Sequence, residues 1–289
     1  MKIFEEIESD FKSKIFKEIK IDCNYKYIFR GLASEEYNLQ TSLVRSLKNE
    51  KNLDSDEHKK LNKEYKEKLC QNLNINISSH DNYDKPFYHI FQHYGALTNI
   101  LDWTIDPDIA LYFAIFETKP EKDILNILSQ WSDMKIYLYS IKINYEMVDK
   151  PQAESSDGIL SVYDPMNLLH WNKKETKHHK QIYEKLIQLN TRLKRQQGLF
   201  TYHKNINDYF CINEYFKNRK VNADYNDNNL KLQKYIVEVD KSLALNIHEK
   251  HKYIYNLELE ILQPKDIKIN STFEDLAKEY KDKIIKLIR

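Results

Sequence analysis

Glycine is nearly missing from this chain: 4 residues in 289, beside 6 prolines. A polypeptide this sparing with glycine keeps each one where the backbone demands it, for positive φ or for the close approach of a ligand. Gly31, Gly95 and Gly198 each sit inside a compact motif, whereas Gly158 lies in an ordinary loop-like stretch. Cysteine is equally scarce. Cys23, Cys70 and Cys211 are odd in number, far apart and without a CxxC pair, which excludes a disulfide frame or a zinc knuckle and implies reduced thiols. Charge of one sign is also lacking, since Lys+Arg 45 against Asp+Glu 44 leaves a formal net charge of +1 and no global pull toward nucleic acid or membrane. No apolar run is long enough to span a bilayer, and Met1 opens an amphipathic, acid-containing segment rather than a secretory leader. The expectation is a soluble, cytoplasmic protein. Walker A, GxGxxG, GxSxG, kinase, HExxH and EF-hand patterns are absent as well, which disfavours P-loop phosphoryl transfer, Rossmann hydride transfer and the standard metal sites. No carboxylate cluster suits a two-metal nuclease.

What the chain does have is apolar and aromatic mass: 41% hydrophobic, with Tyr 21 and Phe 12, enough for a real core. An apolar stripe over residues 3–20 predicts an N-terminal helix within residues 1–22. Tyr25–Leu32 alternates and reads as a strand ending at Arg30–Gly31. Residues 55–73 read as a mostly solvated helix. Lys135–Asn144, Gly198–His203 and Leu232–Asp240 read as further strands. Residues 145–180 predict loops and short helices, an insertion, and Gln181–Leu193 a helical or mixed segment. A helix within Ser242–Leu262 stops at Pro264, and Phe273–Ile288 forms a last amphipathic helix, in a C-terminal segment 265–289, capped by Ser271 or Thr272. Strands and helices intermix without βαβ alternation. The fold class expected is α+β, a single domain over 1–289 with a split mixed or antiparallel sheet flanked by helices.

The stretch His89–Phe116 organises the rest. Its second half is apolar nearly all round, with Pro107 suited to a first turn and Asp106 to its cap. Just upstream, His93, Tyr94, Gly95, Thr98, Asn99, Asp102, Trp103 and Thr104 crowd hydrogen-bonding and aromatic groups onto that core helix, as a scaffold does to hold a site rigid. Tyr94 and Trp103 could stack a flat ring, and Asp102 and Thr104 could hold hydroxyls; their bland alternative is core packing and capping. His89 and His93 are spaced i, i+4, without a third ligand at a telling distance. Arg30 beside Gly31 could fork onto a phosphate or carboxylate, or merely end a strand at the surface. Gln196 and Gln197 before a Gly-led strand are poor core residues, so they face water or a ligand. Lys173, Lys174, Lys177, Lys180, Arg192, Lys194 and Arg195 form the most basic region, either a solvated face or a contact to nucleic acid or pyrophosphate.

Taken in order, FRG at 29–31, QHYGALTNILDWTIDPDIALYFA at 92–114 and RLKRQQGLFTYH at 192–203 resemble the FRG domain family. FEDLA at 273–277 is similar to that family's closing segment. The chain departs at Ala96–Asn99, where the family usually carries a proline and an arginine. The motif order in turn looks like that of ADP-ribosyltransferases: an arginine ending an early strand, a Ser/Thr strand followed by a helix, and a late strand led by Glu or Gln. This resemblance implies NAD as substrate. Arg30 would then contact the pyrophosphate, and Asp102 with Thr104 would shape the nicotinamide–ribose pocket. Tyr94 or Trp103 would stack nicotinamide, and Gln196 or Gln197 would take the late-strand position. Gly31, His93, Gly95 and Phe200 would complete the binding surface. The same resemblance implies transfer of ADP-ribose to RNA, DNA or protein by an intracellular toxin or anti-phage defence effector, restrained by an antitoxin or regulatory protein. A non-catalytic nucleotide- or nucleic-acid-binding module on the same scaffold is the alternative.

Overall fold

The computed structural model describes residues 25–47, 55–72, 85–116, 121–144, 152–154, 160–163, 196–203, 211–219, 230–252 and 264–288. Among them are seven strands: β1 (Tyr25–Leu32), β2 (Ile100–Thr104), β3 (Met134–Asn144), β4 (Gln152–Glu154), β5 (Leu160–Tyr163), β6 (Gly198–His203) and β7 (Leu230–Val239). They form one sheet in the order β4-β5-β6-β2-β1-β3-β7, and each of its pairings is antiparallel. The α+β class and the antiparallel alternative hold, but the sheet is single rather than split and not mixed. Strand β1 bridges the two halves, because it pairs with β3 on one side and β2 on the other. The two junctions differ greatly. Against β3 the register runs the full strand, from Tyr25 opposite Asn144 to Leu32 opposite Tyr137. Against β2 it consists of Phe29 opposite Thr104. Beyond that pair the two strands part.

Alternation sets the two faces. Ile28, Leu32, Tyr139, Ile141, Leu101, Trp103, Val162 and Leu199 bury one face, together with Ile212 and Phe216 of α6 (Ile212–Arg219). Tyr27, Phe29 and Leu138 point to the other face, into a cluster with α4 (Pro107–Phe116), α5 (Glu121–Ser129) and α7 (Lys241–His251). Helix α4 starts where expected: the Asp106 carboxylate accepts from the Asp108 amide at 2.9 Å, with Pro107 behind it in the first turn. Ile109, Leu111, Tyr112, Ile115 and Phe116 are all buried, each contributing roughly 1.5–3 kcal/mol. Gly31 is the seat of this packing. A Cβ built there would lie 2.0 Å from the Ala110 carbonyl oxygen and 2.7 Å from the Ala114 Cβ. Its close approach is therefore to a helix, not to a ligand.

A helical layer completes the described fold: α1 (Ser42–Ser46), α2 (Ser55–Asn72), α3 (Lys85–His93) and α8 (Pro264–Ile288). Helix α2 is less solvated than expected, since Leu61, Tyr65, Leu69 and Cys70 are buried with Phe273, Ala277, Tyr280 and Ile284 of α8. Its Lys/Glu residues do lie outward, where Lys68 and Lys283 bridge Glu64 and Glu279. Within the layer, Tyr280 Oη donates to Asn62 Oδ1 and lies 3.3 Å from His58 Nε2, while Asn62 Nδ2 donates to Tyr88 Oη at 2.8 Å. Helix α8 begins at Pro264, so Ser271 and Thr272 sit inside it rather than capping it; proline at a first helical position explains the earlier start. Strands β4 and β5 correct the expectation of loops and short helices in that region: Leu160 and Val162 alternate inward opposite His203 and Thr201. The segment 3–20, Cys23, the segment 181–193 and the basic residues Lys173 to Arg195 lie outside the described residues. Cys70 and Cys211 are free and buried, and burial pushes the Cys70 thiol up to about 12. No helix among the described residues is long and apolar enough to cross a membrane.

Candidate active site

Where β1 and β2 part, a cavity of about 860 Å³ opens. Helix α3 covers the β2–β6 half of one sheet face and α4 the β1–β3 half, so the gap between strands continues into a trench between helices. Separate stretches of the chain line it, among them Arg30 and Gly31 of β1, Arg45 of α1, the α3–β2 segment, Ala110 and Phe113 of α4, and Gln196 ahead of β6. Helical spacing puts His89, Gln92 and His93 on one face of α3, and all three reach the cavity.

The arginine and the carboxylate meet indirectly. Arg30 and Asp102 occupy opposite faces of the pleat, yet Arg30 Nη1 donates to the Asp102 main-chain oxygen at 2.7 Å across the gap. Burial pulls the Arg30 guanidinium below its ordinary value, the Asp102 charge opposes that shift, and Arg45 adds to it. Its Nε is buried without a partner among the described residues. Arg45 Nη1 donates to the Gln40 carbonyl oxygen at 2.6 Å. Among the described residues neither guanidinium has a carboxylate within 4 Å, so both retain capacity for an anionic ligand. Glu36 also lines the cavity, from an exposed position at the rim.

Asp102 is the exposed residue in an otherwise buried strand. Its Oδ2 accepts from Gln92 Nε2 at 2.6 Å, and Gln92 Oε1 in turn accepts from Thr98 Oγ1. That relay fixes which end of the Gln92 amide faces the carboxylate and holds Asp102 in one orientation. The Thr104 hydroxyl is committed on both sides, donating to the Gln196 carbonyl oxygen at 2.7 Å and accepting from the Asp106 amide at 3.1 Å. Thr104 therefore acts on the cavity through Gln196, whose side chain lines it while its Nε2 is buried without a partner among the described residues.

Of the residues expected at a site, Arg30, Gly31, His93, Gly95, Asp102, Trp103, Thr104, Gln196 and Phe200 line the cavity. Trp103 does so from its packed position on the opposite sheet face, with Nε1 donating to Thr201 Oγ1 at 3.0 Å. Two expected residues are placed elsewhere. Tyr94 packs edge-on to Phe273 at 5.8 Å in the helical layer, where burial raises its hydroxyl to about 12. Gln197 is exposed with φ 48, absorbing the left-handed turn that leads into β6. Gly95 has φ 82, the positive φ expected of a retained glycine. Asn99 is buried, its Nδ2 donating to the His203 carbonyl oxygen at 3.1 Å.

Three further cavity residues, His89, Gln92 and Arg45, carry no role that the sequence alone assigns. The helical spacing of His89, Gln92 and His93, opposite an apolar stripe of Phe87, Ile90 and Phe91, is a usable signal; Arg45 lies on a five-residue helix too short to show a period. Among the described residues no three His, Cys, Asp or Glu side chains converge as a metal site would require. The family model of the FRG domain matches residues 25–123, which takes in Arg30, Arg45 and the whole α3–β2–α4 segment. No curated protein and no solved structure matches the chain.

Proposed function

We propose that this chain, which carries an FRG domain, is an NAD-dependent ADP-ribosyltransferase acting on a macromolecule. One observation carries the reading: the Arg30 and Arg45 guanidiniums, the Asp102 carboxylate and the Gln196 amide, from stretches far apart in the chain, converge on a single cavity of about 860 Å³. That volume lies in the range of small-molecule and cofactor sites, which runs to roughly 1,000 Å³. The residues fit NAD chemically. Arg30 and Arg45 have donors to offer a pyrophosphate, and Gly95 leaves open space in the same cavity, with no heavy atom within 4 Å of where a Cβ would stand. Bound NAD supplies a nicotinamide–ribose bond whose cleavage leaves positive charge on the ribose while the acceptor's nucleophile takes nicotinamide's place. Asp102, oriented by Gln92, supplies the fixed negative charge that such a change requires. Gln196 can grip a hydroxyl but adds no charge, so the electrostatic role falls on Asp102. Such an activity inside a cell is that of a toxin or defence effector, acting on nucleic acid or protein and held in check by a regulatory partner.

Nicotinamide release from NAD by the purified chain, with and without cell lysate as a source of acceptor, tests the reading. Release is expected in the wild type and lost in Arg30→Ala and Asp102→Ala. Because Arg30 also bridges two strands, Arg45→Ala serves as a gentler probe and should weaken NAD binding with little change in melting. Full activity in both the Arg30 and Asp102 variants removes the assignment. Nucleotide binding without turnover instead favours a binding module, a reading to which the uncharged Gln196 is better suited.

A further inference from the structure

His89 is the cavity residue that the transferase reading does not use. Its side chain is 1% exposed, and neither ring nitrogen has a hydrogen-bond partner among the described residues. The ring lies nearly flat on Phe200, with centroids 5.6 Å apart at 20°. Phe200 faces Asp102 in the β2–β6 register, which places the imidazole beside the carboxylate along the same trench wall. Burial, with His93 nearby, depresses its pKa to about 3, so the ring is neutral and offers one donor and one acceptor. Gln196 and Arg30 line the same cavity, and Gln196 Nε2 and Arg30 Nε are likewise buried without partners among the described residues. A folded chain rarely leaves buried polar atoms unsatisfied, and three such residues around one cavity are a demand for a ligand that supplies the missing partners.

We infer that His89 is the specificity-determining residue of this cavity, hydrogen-bonding through a ring nitrogen to a neutral, planar ligand group that carries donors and acceptors. The inference rests on the proposed NAD site and deepens it. An anionic ligand group here would meet the Asp102 carboxylate beside an uncharged imidazole, which disfavours phosphate or carboxylate at this end and leaves those to Arg30 and Arg45. A primary carboxamide and an aminopurine edge share the required chemistry, and NAD contains both. The flat Phe200–His89 stack matches a planar group of either kind.

Titration calorimetry on the full chain with NAD, ADP-ribose, nicotinamide and adenosine separates the sources. His89→Phe keeps the ring on Phe200 and removes both nitrogens; NAD binding should weaken ~10- to 100-fold, the loss expected when buried ligand polar groups go unpaired. If His89 reads the carboxamide, ADP-ribose affinity stays unchanged in His89→Phe and nicotinamide affinity falls. If it reads adenine, ADP-ribose and adenosine both weaken. His89→Gln, which restores one donor and one acceptor, should recover most of the affinity, whereas a merely structural histidine would show no ligand-selective loss and no rescue. Wild-type affinities for all four compounds in His89→Phe, judged on variants that melt as the wild type does, overturn the inference. So does failure of the wild type to bind any of the four. Binding of NAD with the His89 pattern but no nicotinamide release overturns only the transferase reading.

Discussion

Replacing Gly31 with alanine should be among the most damaging single-methyl additions in the described fold, because the obstacle is backbone. The added Cβ would meet the Ala110 carbonyl oxygen at 2.0 Å and its carbonyl carbon at 2.9 Å, with the Ala114 methyl at 2.7 Å. No rotamer change can relieve a carbonyl inside a helix, so α4 must retreat from β1 by about an ångström, loosening Tyr27 and Phe29 against Leu111 and Ile115. Overpacking of this kind costs ~1–3 kcal/mol and occasionally more, and an immovable neighbour puts Gly31→Ala at ~3 kcal/mol or above. At roughly 2–4 °C per kcal/mol for chains of this size class, the melting temperature should drop by about 6–12 °C. Gly95→Ala is the matched control. Its φ of +82 strains an L-residue, but nothing lies within 4 Å, so its cost should be torsional and near ~1 kcal/mol. Calorimetric melts and urea midpoints of the two variants test the reasoning. A loss in Gly95→Ala equal to or larger than that in Gly31→Ala would refute the steric account of Gly31.

Two further outcomes are expected of the helical layer. His58 is buried between Tyr280 and Asn62 with its pKa depressed to about 4 from 6.5, so the unfolded chain takes up a proton that the folded chain refuses. Stability must therefore fall as pH drops from about 6.5 toward 4, by ~2 kcal/mol from this group between about pH 7 and about pH 5, and His58→Gln should remove that share of the fall in urea midpoints. An unchanged pH slope in the variant would count against a buried neutral His58. Tyr280→Phe keeps the ring stacked on Phe91 at 5.2 Å but strips the donor from Asn62 Oδ1, so ~1–3 kcal/mol should be lost without a cavity. A denaturation midpoint equal to the wild type's would show that Asn62 finds another partner.

The elements legible in the sequence are those with a period and a punctuation mark. Helix α4 announces itself through Asp106–Pro107 and a continuous apolar surface, β3 and β7 through alternation, and β6 through its leading glycine and a run buried on both faces. Helix α3 is legible in the spacing of Phe87, Ile90 and Phe91, a signal that the motif reading of His89–Phe116 passes over, while Tyr88, His89, Gln92 and His93 are the side chains it presents to the cavity and to the Asn62 network. The start of α8 differs from expectation because Ser271 and Thr272 look like caps, whereas Pro264 can open a helix with no cap signal of its own. At the site, the sequence identifies motif residues by type but not by direction. Tyr94 belongs to a motif dense in ligand-like groups, yet one step beyond α3 its ring turns onto Phe273. Gln196 and Gln197 are indistinguishable in sequence, and the left-handed φ of Gln197 decides that Gln196 faces inward.

Why a sheet should hold a ligand site between two of its own strands follows from the single registered pair of β1 with β2. A fully zipped junction would place Arg30 opposite Trp103 and close the gap with ladder hydrogen bonds. Instead α4 draws β1 down through Gly31, while α3 and β6 hold β2, and the strands separate after Phe29. The opened edge must still satisfy its backbone, and the Arg30 guanidinium does so by reaching the Asp102 carbonyl. That contact fixes the guanidinium, which lines the cavity, relative to the Asp102 side chain on the other face of the same residue. Gly31, Arg30 and Asp102 thus answer one constraint: close helix packing parts the strands, the arginine spans the parting, and the carboxylate lies where the parting exposes it. Arg30→Val removes the spanning hydrogen bond while the helices still hold the strands apart, so it should lose stability together with ligand binding. A gain in stability would mean that Arg30 props the gap open rather than spanning it.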